Sequence, residues 1–398
     1  MIERRDFLRT LGGAAIAPAL LGASAADSPV ESVERALVLS GGGARGAYEG
    51  GLIGALAAVG GVSDGSPLAP YGFVCGTSIG ALNSWFVATG QYTKLRDLWY
   101  TIGGQHLMQL KTQYAALRDP ESGVLDIAAS AVRVIGLTRN QRAVLESEPV
   151  LDWITRNVDP NTPLVMPMAW AVTNLSFERP EYFYLGVKGE GEILPEWVVH
   201  ALQVTLGPQT IVREATPDLL HRALFASAAI PIVFDPVVMP GPDGTPCQYC
   251  DGGVASNSPV GIAHAVSKAA DVVLLDPPFE PDTDLNDAIE VAYSAYGTMQ
   301  RKILETEMRN VYAQSVAKGT FGRLSPEKLA RVAQSSGMLA KMVAALPVTV
   351  LRYLRPEKVL PVTVAGFNDQ TGINETFKTG WEDLGRGFAP YDWSTFSL

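Results

Sequence analysis

Near the start of the chain, short unbroken apolar runs alternate with stretches whose apolar positions fall at helical spacing. Residues 36–40, Ala-Leu-Val-Leu-Ser, form the first run. Glycines end it, and 47–59 then carries apolar residues three and four apart. That pattern predicts a buried strand, a glycine loop and a helix. The same order returns at once: 71–75 reads as a buried strand, 76–80 as a tight turn and 81–88 as an apolar helix. Two strand-loop-helix units in succession predict a parallel sheet.

The rest of the chain is less regular. Residues 95–160 are mostly helical in pattern and either cover a site or pack on the sheet. Strand-like runs at 168–175 and 182–185 flank a turn at Glu178-Arg179-Pro180. Helical spacing over 260–269 leads to a strand at 271–275, 285–317 reads as a long helix, and 358–365 as one more strand. The apolar stretch 337–354 is broken by Lys341, Pro347 and Arg352, so it fails as a membrane-spanning helix. It is expected to be a core helix, with a lipid-facing or lid element as the alternative.

Composition sets the scale. With 398 residues, 47% hydrophobic and 18% charged, the chain can bury a large core and reads as one globular unit of enzyme size. A net charge of −10 and a pI near 5.0 speak against a nucleic-acid partner. The same charge disfavours electrostatic docking on anionic membranes, so any peripheral membrane contact would be apolar. The first 25 residues differ from the remainder. Arg4 and Arg5 precede Phe7-Leu8, an apolar run over 11–22 and the small residues Ala23-Ser24-Ala25. This is the layout of an export signal, expected to be cleaved near Ala25 and to place the chain in the periplasm or outside the cell. The paired arginines resemble a twin-arginine signal, which addresses proteins exported already folded. Residues 26–34 read as a spacer, leaving 35–398 as the functional domain. Cys75 is expected to be a buried thiol. Cys247 and Cys250 form a C-x-x-C without the second ligand pair that zinc needs, so they are either a local disulfide or two plain thiols. No metal or cofactor is expected.

Three motifs carry chemistry. Gly41-Gly42-Gly43-Ala44-Arg45-Gly46 fits the dinucleotide fingerprint G-x-G-x-x-G, between a strand and a helix. That site wants an acidic residue at the end of the next strand. Asp64 is near the right spacing but falls in a loop, and the next strand ends instead in Cys75-Gly76-Thr77-Ser78. What this strand carries is Gly76-Thr77-Ser78-Ile79-Gly80, a G-x-S-x-G between a strand and a helix. Flanking glycines leave room for a strained turn that pushes out the serine hydroxyl, and the helix N-terminus favours developing negative charge. With Ser78 as nucleophile, the amides of Gly41, Gly42 and Gly43 become an oxyanion hole, where removing one donor typically costs ~10²- to 10³-fold in rate. Arg45 either braces that loop, stabilises charge or makes a surface ion pair. A serine needs a base. The chain has His106, His200, His221 and His264, with none in its last third, and each reads more simply as a surface or capping residue. Asp251, followed by Gly252 and Gly253, is the alternative, although an ordinary aspartate titrates near ~3.9 and is a weak base unless its surroundings raise that value.

The Gly41–Gly46 loop, the Gly76–Gly80 pentapeptide and Asp251-Gly252-Gly253, in this order, resemble the patatin-like phospholipase family. Ala226-Ser227-Ala228-Ala229-Ile230-Pro231, running on to Phe234 and Pro236, resembles the family's pattern between the last two. The likeness spans about 36–276, and the extension over 277–398 is less recognisable. It implies a three-layer α/β/α fold with a central, mainly parallel sheet. It also implies a Ser78–Asp251 dyad without histidine, Gly41–Gly43 with Arg45 as oxyanion support, a structural Ser227 and a lipid or ester substrate. The Cys247/Cys250 pair is not part of the family pattern. Two other functions compete: a lipid-binding or secreted interaction protein on the same fold without turnover, and an NAD(P)-dependent enzyme.

Overall fold

The computed structural model describes residues 33–112, 143–186, 210–276, 288–323 and 348–392, with 325, 328 and 396; of 288–296, 321 and 322 only the backbone is described. The expected export signal over 1–25, nearly all of the spacer, His200 and residues 337–347 lie outside these.

Strand β1 (Val33–Leu39) shows why the sheet must be covered twice. Leu37 and Leu39 enter one apolar core, Ala36 and Val38 the other. A strand buried on both faces needs helices on both. Helix α1 (Ala47–Gly60) returns the chain to β2 (Phe73–Thr77), which pairs parallel with β1. Next come α2 (Ile79–Ala88), α3 (Tyr92–Thr101) and α4 (Glu148–Asn157), then β3 (Met168–Asn174) and β4 (Arg179–Leu185), an antiparallel hairpin. The chain continues through β5 (Ile211–Glu214), α5 (Pro217–Ala228), β6 (Val237–Pro240), β7 (Pro246–Asp251), α6 (Val260–Val266) and β8 (Ser267–Val273). Helix α7 (Ala288–Gly322), β9 (Val350–Leu354), α8 (Gln370–Asp383) and β10 (Ala389–Pro390) complete it.

The sheet order is β10-β9-β8-β1-β2-β3-β4-β5, parallel from β9 through β3, with β6 and β7 branching from β3. Trp85 of α2, Trp99 of α3, Trp153 of α4, Leu224 of α5 and Ile373 of α8 belong to the core on one face, together with Trp170 of β3. Val260 of α6 and Leu304, Met308 and Val311 of α7 cover the other. The fold is the expected α/β/α sandwich on a mixed, mostly parallel sheet.

Several expected boundaries move. The second strand runs on to Thr77, which delivers Ser78 directly from its end. The helix expected over 260–269 stops at Val266, where β8 begins. The final parallel strand is Val350–Leu354, inside the run expected to be a core helix. Pro347 cannot continue a helix, and the β-branched Val348-Thr349-Val350 after it suits a strand beside β8. Residues 358–365 form no strand. Pro361 has no N–H for a ladder, and the segment instead props the glycine loop, where the Ala44 N–H donates to the Val364 carbonyl at 2.9 Å.

Candidate active site

Ser78 links β2 to α2 with φ 56° and ψ −125°, a strained conformation for a residue other than glycine. Two glycines permit it by close approach. A Cβ on Gly76 would lie 2.3 Å from the Gly80 carbonyl oxygen, and one on Gly80 would lie 2.4 Å from that of Leu39. The turn is thus folded onto itself and onto the end of β1. Ser78 stands at the N-terminus of α2, where the helix dipole favours negative charge.

Asp251 arrives from the opposite direction. β4 occupies one edge of β3 along its whole length. On the other edge β2 runs parallel until Thr77 lies opposite Ala171, and β7 runs antiparallel until Asp251 lies opposite Val172. The two strands therefore meet end to end, and their next residues share one place. Ser227 locks the junction: its Oγ accepts the Ser78 N–H at 2.9 Å and donates to the Ala171 carbonyl at 2.7 Å. The Asp251 N–H donates to the Ala229 carbonyl at 2.8 Å, and Thr173 Oγ1 donates to the Asp251 carbonyl at 2.9 Å.

The Asp251 carboxyl is buried. Its Oδ1 accepts the Gly253 N–H at 2.6 Å, and the Ser78 hydroxyl lies beside it. Burial raises its pKa from the ordinary carboxylate range to about 7, against the opposing pull of the Ser78 hydroxyl and the Gly253 amide. A carboxyl raised to that value lies in the range of a base working at neutral pH.

The glycine loop lies against this pair, since a Cβ on Gly41 would be 3.2 Å from that of Ser78. Its amides are not equivalent. The Gly41 N–H donates to the Asn257 carbonyl at 2.9 Å, so it is not the free oxyanion donor expected of it. The N–H groups of Gly42 and Gly43 have no partner among the described residues.

A family model of patatin-like phospholipases matches residues 37–264. That is more than half of the chain, and it contains the glycine loop, the serine turn and Asp251-Gly252-Gly253. The chain belongs to the patatin-like phospholipase family. This is a family of lipid acyl hydrolases. Among solved structures the chain is similar to VipD from Legionella pneumophila, at 13% identity over 92% of this chain and 68% of that one, with a TM-score of 0.31. No curated protein matches it.

In this patatin-like chain Arg45 makes an ion pair, its Nη1 on Asp276 Oδ1 at 2.7 Å, just beyond β8. The described histidines have their hydrogen bonds elsewhere than at Ser78 and Asp251. His264 is not the surface residue expected; it is buried, with Nδ1 on Thr349 Oγ1 at 2.9 Å and Nε2 on Gln314 Oε1 at 3.1 Å, and burial lowers its pKa to about 4. His221 Nε2 bonds the Val158 carbonyl, and His106 is exposed. Cys75, Cys247 and Cys250 are buried free thiols, so the C-x-x-C forms no disulfide.

Three residues of the site escaped the sequence reading. Glu49, in the first turn of α1, is fully buried and its Oε2 accepts from Asn83 Nδ2 at 2.8 Å. Desolvation raises its pKa well above the usual carboxylate value. Asn257 backs Gly41, and Gln300 reaches Asn257 from α7. A glutamate early in a helix reads as a solvated residue favoured by the helix dipole, and a glutamine mid-helix gives no signal at all.

Proposed function

We propose that the chain is a serine acyl hydrolase of the phospholipase A, lysophospholipase or esterase type, cleaving fatty-acyl esters of lipids with Ser78 as nucleophile and Asp251 as base. The observation that carries this reading is the Ser78 hydroxyl resting on a buried carboxyl that titrates near neutrality. Ser78 Oγ attacks the ester carbonyl carbon while its proton passes to Asp251. The carbonyl oxygen takes up the negative charge beside the Gly42 and Gly43 amides and the α2 N-terminus. Collapse expels the alcohol, which takes the proton from Asp251 and leaves an acyl-serine. Water then attacks by the same route, gives its proton to Asp251, and the fatty acid leaves as Ser78 recovers a proton. None of the described histidines, His106, His221 and His264, takes part.

Mixed vesicles of phospholipid, lysophospholipid and diglyceride provide the test. Fatty acid is expected to be released by the wild type and not by Ser78→Ala. Equal release by both overturns the assignment of Ser78, and vesicle binding by the wild type with no release favours a lipid-binding protein instead. The residues at 1–25 support export through a twin-arginine route. Replacing Arg4 and Arg5 with lysine is expected to retain the chain in the cytoplasm, and unchanged export overturns that part.

A further inference from the structure

Outside the dyad and its loop, one polar cluster faces the reacting groups. Three side-chain atoms surround the point where a Cβ on Gly253 would stand: Gln300 Nε2 at 2.6 Å, Asn257 Oδ1 at 2.8 Å and Asp251 Oδ1 at 2.9 Å. Gln300 is half-buried and comes from α7, beyond the stretch that matches the family model. Nothing in the family resemblance assigns it a role.

The connections run in one direction. Gln300 Nε2 donates to Asn257 Oδ1 at 3.3 Å, which leaves Asn257 Nδ2 facing the Gly41 carbonyl at 3.4 Å. The Asn257 backbone carbonyl accepts the Gly41 N–H at 2.9 Å. Asn257 thus grips both polar groups of Gly41, one through its backbone and one through its side chain. The side-chain half depends on which way the amide is turned. An amide is nearly symmetric in shape, and its orientation is set by the hydrogen bonds around it. Gln300 presents a donor, so the Asn257 oxygen turns toward it and the Asn257 NH₂ toward Gly41. Both bonds are long and individually weak. Neither holds the loop alone: without Gln300 the Asn257 amide keeps only its long bond to the Gly41 carbonyl and is free to turn away from it.

We propose that Gln300 is a positioning residue for acyl transfer: through the Asn257 amide it fixes Gly41, so that the Gly42 and Gly43 amides stay aimed at the oxygen that gains charge. This rests on Ser78 and the glycine loop acting as set out above. It concerns the transition state more than substrate binding, so its loss falls on kcat.

The test is a double-mutant cycle with Gln300→Met, which keeps length and removes the donor, and Asn257→Ala, which keeps the backbone carbonyl. Gln300→Met is expected to lower kcat about tenfold, part of the ~10²- to 10³-fold that one oxyanion donor is worth, with KM nearly unchanged. In the Asn257→Ala background the same change is expected to cost nothing further, because the amide it orients is gone. A packing role would instead lower the melting temperature and recur in both backgrounds. Wild-type kcat in Gln300→Met, or an equal loss in both backgrounds, overturns the proposal. Ser78→Ala, assayed alongside, separates the two levels: if it stays active the reading of the site itself fails, and if it is dead while Gln300→Met is unimpaired only the role of Gln300 fails.

Discussion

Two carboxyl groups are buried near the carboxyl ends of the central strands, and they are held very differently. Asp251, where β7 ends, and Glu49, in the first turn of α1, both lose solvent and both have raised pKa values for that reason. Asp251 keeps one oxygen on the Gly253 amide and lies beside the Ser78 hydroxyl. Glu49 is enclosed by Asn83, whose Nδ2 also donates to the Gly46 carbonyl at 3.0 Å and whose Oδ1 accepts from Trp99 Nε1 at 3.1 Å. Burial makes a carboxyl basic enough to matter. Only access to a hydroxyl that can lose a proton turns it into a base.

The largest expected effect breaks the comparison at Asp251. Asp251→Asn is expected to lower kcat/KM by about 10⁴-fold, the scale on which a comparable carboxylate-to-amide change acts in a serine triad. The same change is expected to stabilise the fold at pH 8. Between 3.8 and about 7 the native carboxyl holds a proton that the unfolded chain has released, so wild-type stability falls as pH rises through that window and is level above it. At ~1.36 kcal/mol per pH unit the gain for Asn is at most about 4 kcal/mol. Thermal melts should show the gain at pH 8 and its disappearance as pH drops toward 4. A variant that melts alike at both ends means that the carboxyl is not desolvated in the native state.

A smaller effect sharpens the other side. Glu49→Gln keeps the shape and the Asn83 contact, and is expected to change kcat by less than about tenfold, the scale of one ordinary hydrogen bond. The acid limb of its pH–rate profile should stay near the wild-type position. A limb displaced in Glu49→Gln would make Glu49 part of the proton path and end the distinction drawn between the two groups.

How much of this was legible in the sequence follows the same division. The serine turn and Asp251-Gly252-Gly253 carry glycines wherever backbone comes too close for a side chain: the Gly80 carbonyl oxygen stands 2.3 Å from a Cβ on Gly76, that of Leu39 2.4 Å from one on Gly80 and that of Ala171 2.3 Å from one on Gly252. Whatever the origin of the approaching strand, the need for a glycine is written at the position itself. Side chains that work by coming from afar leave none. Gln300 meets Asn257 across a separation of 43 residues, Asn257 meets Gly41 across 216, and the engagement of the Gly41 amide by Asn257 depends on where α6 begins. The misread strand at 350–354 failed for another reason: an apolar run with helical and strand readings is decided by its neighbour, here β8.

Labelling of Ser78 by a fluorophosphonate probe across pH, in the wild type and in Asp251→Asn, is the most direct test of the central claim. The wild type is expected to label with a single acid limb near pH 7, rising tenfold per pH unit below it and level above. Asp251→Asn is expected to label slowly at every pH, with no limb. If the two label at the same rate with the same limb, Asp251 is not the base.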